Sequence, residues 1–268
     1  MHDAQKQPQA LRFATFLSPN LLKTYESIAG YVGEKLGYHA PLSVGQSFNE
    51  FADGQADVGF VCGLVYIRMA RKRDCPIELL AAPVLRGKRY QGKPIYFSDV
   101  IVRKESPYTS FDDLDGCIWA YNELTSHSGW NLVYYSLLQQ GRTPGYFGST
   151  VHSGSHLKSV QMVLDGEADA TAIDSQVMDV LLQQDAELGA KLRVIDTFGP
   201  SGIPPVVAAK RLDERLKYDI QAALLQMHVD RSAANELQKG LIERFVPVTD
   251  EHYAGILDML ELMEMTIA

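Results

Sequence analysis

The chain contains the same six-residue pattern twice, and this repeat constrains the fold more than any other feature. Residues 53–58 read Asp-Gly-Gln-Ala-Asp-Val, and residues 165–170 read Asp-Gly-Glu-Ala-Asp-Ala. Each copy follows a short amphipathic segment and leads into an apolar run, as expected where a helix ends at Gly before a strand. Two copies in the same helix-to-strand context predict two similarly built lobes.

Helical and strand-like apolar patterns alternate along the chain. Alternation of this kind indicates βαβ units, an α/β fold class and mainly parallel sheets. An extended run at 94–103 and an apolar segment at 206–209 are the predicted crossovers between the lobes. The predicted division is a disordered lead-in at 1–10, lobe 1 at 11–98, lobe 2 at 99–206, and a return to lobe 1 with C-terminal helices at 207–268.

A predicted strand at 117–121 is followed by a polar loop and a predicted helix at 128–140. Small hydroxyl residues and a Gly stand at the start of this helix, at residues 125–129. Free N–H groups and the positive end of the helix dipole favour an oxyanion at such a position. The alternative is that Ser126 or Ser128 only caps the helix.

Composition excludes several classes of protein. The chain has 268 residues and a formal net charge of −8, so nucleic acid and anionic membranes are poor general partners. No apolar run approaches the roughly 20 residues of a membrane span. The polar start at 1–9 leaves two expectations, a cytoplasmic protein or one whose signal peptide has been removed. The sparse cysteines indicate neither a disulfide framework nor a metal site, although Cys62 and Cys75 could form one bridge.

Several motifs in order resemble a known family. They are Gly-x-Ala-Asp-Val before a strand, the segment 96–104, Phe111-x-x-Leu114-x-Gly116, Ser126-x-Ser128-Gly129, residues 154–156 and residues 172–175. From about Leu11 to about Gln226 the chain resembles the PhnD-type solute-binding proteins of phosphate, phosphite and phosphonate ABC transporters. The resemblance implies the type II periplasmic binding protein fold, with two Rossmann-like lobes, two crossover strands and a ligand cleft between them.

The resemblance also implies a ligand site. The oxyanion of the ligand would sit on the helix start formed by Ser126, His127, Ser128 and Gly129. The hydroxyl of Tyr96 would donate to it from the first crossover, and His156 would complete the cradle from the next helix start. His127 stands where relatives often have Thr, so it would add a donor or a charge.

Further contacts are expected from both lobes. Asp174 would lie near the ligand, or would only cap the helix that follows it. It is the only acid that the resemblance places there, which argues against an amino-bearing ligand. The opposing wall would come from the loops after the first and third strands. That wall is expected to include Phe16, Leu17, Ser18, Gly63, Leu64 and Tyr66.

The expected function is capture of a phosphorus oxyanion by lobe closure, for an ABC permease in the inner membrane. The protein would be a monomer without cofactor or metal, either periplasmic after signal-peptide removal or lipid-anchored and extracellular. An alternative is a sensor for another oxyanion, such as arsenite bound through Cys117, that partners a receptor kinase. An enzyme has less support, because the chain lacks G-x-S-x-G, H-E-x-x-H and phosphate-loop motifs.

Overall fold

The computed structural model describes residues 10–142 and 144–267, and its strands form two sheets. The strands are β1 (Phe13–Thr15), β2 (Leu42–Val44), β3 (Val58–Phe60), β4 (Ile77–Leu85), β5 (Ile95–Arg103), β6 (Ile118–Tyr121), β7 (Ser149–His152), β8 (Ala170–Asp174), β9 (Leu192–Gly202), β10 (Val206–Ala209) and β11 (Ile242–Val246). The sheet of the first lobe has the order β11-β4-β10-β3-β1-β2, and that of the second lobe has the order β7-β6-β8-β5-β9. The chain therefore crosses between the lobes twice, from β4 to β5 and from β9 to β10.

Helices flank both sheets. They are α1 (Leu22–Leu36), α2 (Gly63–Ala70), α3 (Leu132–Gln139), α4 (His156–Asp165), α5 (Ser175–Gln184), α6 (Leu188–Lys191), α7 (Glu214–Gln226), α8 (Arg231–Lys239) and α9 (Ala254–Ile267). Each lobe contains parallel pairs, β1 with β2 and β3 in the first and β6 with β7 and β8 in the second. The strands that neighbour the crossovers pair antiparallel. The predicted α/β class with βαβ units is confirmed.

The two copies of the repeated pattern form the same local structure. The carboxylate of Asp57 accepts from the Arg12 backbone N–H at 2.7 Å, and that of Asp169 accepts from the Ile118 N–H at 2.8 Å. The backbone N–H of Asp57 also donates to the Arg12 carbonyl, and that of Asp169 donates to the Ile118 carbonyl, each at 2.8 Å. The pattern therefore ties the helix-to-strand connection of each lobe to the start of the neighbouring parallel strand.

The structure differs from the predicted elements in several places. β7 and β11 were not predicted, and residues 199–202, where two Gly and a Pro favour a turn, continue β9. The predicted C-terminal helices include α7 and α8, which are separated before Asp230, whose side chain caps α8. Of the predicted lead-in at 1–10, only Ala10 is among the described residues, and it forms an isolated bridge with His39. Residues 1–9 lie outside the described part of the chain.

Buried side chains form two clusters. A large cluster of buried side chains runs through the first lobe and reaches helices of the second. A smaller aromatic cluster fills the second lobe around Trp119, which stacks on Phe147 with ring centroids 4.6 Å apart. Within residues 10–142 and 144–267, no helix combines the length and apolarity that a bilayer crossing requires.

Candidate functional site

A cleft of about 230 Å³ lies between the lobes, where several strands end. Its walls come from the loops that follow β1 in the first lobe and β6, β7 and β8 in the second. Carboxyl ends of strands are the usual ligand-binding edge of α/β sheets. The lining residues are Phe16, Leu17, Ser18, Pro19, Leu21, Tyr25, Phe48, Cys62, Val65, Tyr96, Asn122, Glu123, Thr125, Ser126, Ser128, Gly154, Ser155, His156, Asp174, Gln176, Val177 and Pro204.

The helix start after β6 places two hydroxyl groups at the cleft. Ser126 caps the turn by accepting from the Gly129 N–H at 3.1 Å, and it also lines the cleft. The hydroxyl of Ser128 lies 3.2 Å from Nε2 of His156, while its carbonyl accepts from Ser98 Oγ at 2.7 Å. The backbone of this helix start is therefore held from the neighbouring strand β5, and the Ser128 hydroxyl is directed at the cleft.

Gly129 is required by close packing but does not line the cleft. A Cβ atom at this position would lie 1.9 Å from Oδ1 of Asn122, which itself lines the cleft. Its predicted ligand contact is therefore replaced by a packing role. The missing side chain allows the helix start to approach the loop after β6.

His127 is a core residue, so its predicted place in the cradle is wrong. Its side chain is fully buried and does not line the cleft. Asn131 donates to Nδ1 at 3.0 Å, so the neutral ring carries its proton on Nε2 and donates to Ser201 Oγ at 2.7 Å. Burial lowers the pKa of His127 to about 3, which keeps the ring neutral. His127 thus joins the helix start to β9.

Replacement of His127 by Ala is expected to destabilise the protein with little effect on ligand affinity. The change removes a buried ring and leaves Ser201 and Asn131 without their partner, which costs about 2–3 kcal/mol. Chemical denaturation measures this loss, and titration of the folded variant with ligand measures affinity. A change in dissociation constant beyond about threefold, with unchanged stability, would return His127 to the ligand site.

His156 lies at the N-terminus of α4 and faces the cleft. Its Nε2 faces the Ser128 hydroxyl, and its buried Nδ1 has no hydrogen-bond partner among the described residues. Burial lowers the pKa of His156 to about 4, so the imidazole is neutral at physiological pH. A neutral ring offers one N–H donor to a ligand or to Ser128.

Tyr96 lies on β5 and lines the floor of the cleft. Burial raises the pKa of its hydroxyl well above the ordinary value, and the nearby Cys62 and Asp174 act in the same direction. Ser128 hydrogen-bonds to it with the opposite effect. The phenol therefore stays protonated and can donate.

Asp174 ends β8 and carries out the capping role while lining the cleft. One oxygen accepts from the backbone N–H groups of Gln176 at 2.8 Å and Val177 at 3.3 Å. Burial raises the pKa of this carboxyl to about 7. The expectation that Asp174 is the only acid at the site is wrong, because the exposed Glu123 also lines the cleft.

The first lobe supplies an apolar opposing wall. Phe16, Leu17 and Ser18 line the cleft as predicted. Tyr66 does not line the cleft, because its hydroxyl donates to Asp250 and its ring packs on Tyr253. Cys62 and Val65 line the cleft in place of the predicted Gly63 and Leu64. The correct loop was predicted, but the direction of its side chains was not.

Three buried polar atoms of the cleft lining have no hydrogen-bond partner among the described residues. They are Ser18 Oγ, Asn122 Oδ1 and His156 Nδ1. Buried polar groups are rarely left unpaired in folded proteins, because each such group costs about 1–3 kcal/mol. The described lining also contains no Lys or Arg, so the cleft presents neutral donors rather than formal positive charge.

A known protein family matches most of the chain. A family described as the periplasmic phosphonate-binding component of ABC transporters matches residues 13–253. The chain belongs to this phosphonate-binding family. Members are periplasmic substrate-binding proteins that serve an ABC permease, so the predicted binding function is confirmed and the protein is not an enzyme.

Solved structures share the fold. One is a binding protein component of an ABC phosphonate transporter from Pseudomonas aeruginosa, with a TM-score of 0.83 and 18% identity over 96% of this chain and 87% of that chain. Another is PhnD1 from Prochlorococcus marinus in complex with methylphosphonate, with a TM-score of 0.83 and 18% identity over 96% of this chain and 99% of that chain. An ancestral arginine-binding protein bound to arginine is more distant, with a TM-score of 0.58 and 16% identity over 87% and 99% of the two chains. These similarities confirm the two-lobe type II periplasmic binding protein fold.

The three thiols do not provide another site. Cys62, Cys75 and Cys117 are free, so the structure contains no Cys62–Cys75 bridge. Cys117 is buried among the aromatic cluster of the second lobe and does not line the cleft. Burial raises the pKa of its thiol to about 12, so it is not a thiolate. Nothing at Cys117 favours the arsenite alternative, and the described residues contain no cluster suited to a metal ion.

Proposed function

We propose that the second-lobe wall of the cleft binds the oxyanion head of a phosphonate. Ser126, Ser128, Tyr96 and His156 would donate to its oxygens, with Ser18 closing from the first lobe. Two unpartnered buried groups of the lining carry this proposal, because Ser18 Oγ and His156 Nδ1 line the cleft from the two lobes and can each donate to an oxyanion. The third, Asn122 Oδ1, can only accept, so it would need a hydroxyl or amine of the ligand. Hydrogen bonds to a charged group contribute about 1.5–3 kcal/mol each, which supports tight binding without a cationic side chain.

The mechanism would be capture by lobe closure. The lobes would divide within the two crossovers, close to the predicted 98 and 207, because β5 joins the second sheet from Ile95 and β10 joins the first from Val206. The two crossovers lie side by side, since Ile203 donates its N–H to the Pro94 carbonyl at 3.1 Å. A hinge there would let the opposing wall of Phe16, Leu17 and Ser18 close over the ligand. The closed monomer would engage the permease, either in the periplasm after removal of a signal peptide or outside the cell on a lipid anchor.

The substituent on phosphorus would face a mixed environment. Phe16, Phe48 and Val65 form an apolar surface that suits an alkyl group. Glu123 and Asp174 provide two carboxyl groups that could hold an amine. The sequence argued against an amino-bearing ligand, but this lining is compatible with one. Phosphite and phosphate share the same head group and belong in the same test.

A thermal-shift panel tests the proposal directly. It would contain methylphosphonate, aminoethylphosphonate, phosphite, phosphate, sulfate and arsenite, with protein that was unfolded and refolded to remove bound ligand. A ligand at 100 times its dissociation constant adds about 2.7 kcal/mol of stability. A shift with at least one phosphonate is expected. No shift with any phosphonate, together with a shift for sulfate or arsenite, would overturn the ligand class.

A further inference from the structure

The two lobes are connected by hydrogen bonds from neutral amide side chains, all of which involve α5. Gln176 Nε2 donates to the carbonyl of Gly240 at 2.7 Å. Asn20 Nδ2 donates to the carbonyl of Val177 at 3.0 Å, and Gln184 Nε2 donates to the carbonyl of Asn20 at 3.3 Å. α5 belongs to the second lobe, whereas Asn20 follows β1 and Gly240 follows α8 in the first. Each bond therefore joins one lobe to the other.

Gln176 is the most deeply buried member of this set. Its residue is 5% exposed, although it projects from the second lobe. The side chain borders a small void whose other walls include Tyr25, Phe60 and Phe245 of the first lobe. A buried carbonyl that loses its donor costs about 1–3 kcal/mol unless water replaces the bond. Opening the lobes would withdraw Gln176 from the first-lobe core and break this bond.

The same helix turn also reaches the proposed ligand site. Asp174 caps α5 through the backbone N–H groups of Gln176 and Val177, and it lines the cleft. Displacement of this turn would therefore move a wall of the cleft and the interlobe bonds together. Asn20 and Gln184 do not line the cleft, so they can act on a ligand only through the position of the lobes.

We propose that Gln176, Asn20 and Gln184 are positioning residues that form an amide clasp, which stabilises the closed lobes and sets how long a ligand stays bound. This inference builds on the proposed function. An apparent affinity scales with the population of the binding-competent state, so loss of the Asn20 and Gln184 bonds weakens binding without removing a residue of the cleft lining. Because a closed cleft must open before release, the clasp slows dissociation rather than association.

Two variants and a matched control test the clasp. The double variant Asn20→Ala with Gln184→Ala removes the two bonds that lie off the cleft wall, and Gln176→Leu removes the buried one at similar volume. Gln161→Ala is the control, since the Gln161 side chain donates to Asp165 on the exposed face of α4, away from the other lobe. With methylphosphonate as the probe, we expect dissociation on the order of tenfold faster in each test variant and unchanged in the control. Association rates should stay within about threefold of wild type.

The outcomes separate this inference from the proposed function. Dissociation rates within twofold of wild type in both test variants, with melting curves that show folded protein, would overturn the clasp. If wild type binds no phosphonate, the proposed function fails, and X-ray scattering of the ligand-free proteins then decides. A larger radius of gyration in the combined triple variant than in wild type would support the clasp, and equal radii would refute it.

Discussion

Combined replacement of Ser128 and His156 by Ala is expected to abolish phosphonate binding while the protein stays folded. Both side chains line the cleft, and they lie within hydrogen-bonding distance of each other at 3.2 Å, with Ser128 also hydrogen-bonded to Tyr96. Two lost hydrogen bonds to an oxyanion correspond to about 3–6 kcal/mol, or roughly 10²- to 10⁴-fold in affinity. Isothermal titration with the phosphonate that gives the largest thermal shift measures the loss.

A matched pair of substitutions controls for general effects on the fold. Ser136→Ala with His228→Ala removes the same two residue types from α3 and from the exposed turn after α7. We expect this control to bind like wild type. Retained affinity in the Ser128 and His156 double variant would show that neither residue belongs to the ligand site. If one of the two single variants shows most of the loss in affinity, its side chain is the dominant donor.

Much of the fold was predictable because local patterns and tertiary contacts agree. The repeated aspartates Asp57 and Asp169 fix equivalent connections in the two lobes, so a short sequence repeat reports a real structural repeat. β7 was missed because its Ser149–His152 run is short and mostly exposed at a sheet edge, with little apolar signal. The continuation of β9 through residues 199–202 was missed because Gly and Pro there read as a turn, and pairing with β5 overrides that preference.

The loops of the site were predictable, but the directions of their side chains were not. Residues 127–131 form one π-helical turn, in which successive side chains project in different directions, so neighbours in one motif can face different environments. Ser128 faces the cleft while His127 faces β9, although both belong to the same motif. Tyr66 likewise points from α2 toward Asp250. Glu123 was overlooked because nothing in its local sequence separates a cleft-facing loop acid from a solvated one.

Asp174 shows a conflict between stability and function. Its carboxyl is buried at the edge of the cleft, and burial is the main cause of its raised pKa of about 7. Asp99 and Asp179 raise this pKa further, while the two capping N–H groups lower it. The folded protein therefore holds a carboxyl whose ionised form is disfavoured. Residues of a binding site are often kept at such a cost to stability because the ligand requires them.

Asp174→Asn is expected to stabilise the ligand-free protein at neutral pH. Asn also caps helices well, so the N-terminus of α5 stays satisfied. The carboxyl has a folded pKa of about 7 against an ordinary 3.8, so its ionisation opposes folding increasingly as pH rises from 4 to 7. The penalty reaches about 4 kcal/mol near pH 7, falls to about 0.5 kcal/mol at pH 4 and is lost below about pH 3. Denaturant unfolding of both proteins across pH 4–8 measures the difference.

The stability of the variant is compared with that of wild type at each pH, because two histidines change the stability with pH in the opposite direction to Asp174. His127 and His156 have folded pKa values of about 3 and about 4, so they lose stability as pH falls below 6.5. Acidification of wild type therefore combines a gain from Asp174 with losses from both rings. In the variant only the losses remain, and the two stability curves should converge toward pH 4. Parallel stability curves, or a variant less stable than wild type at pH 7, would show that ionised Asp174 does not destabilise the fold. Asp165→Asn, at an exposed position on α4, provides the control.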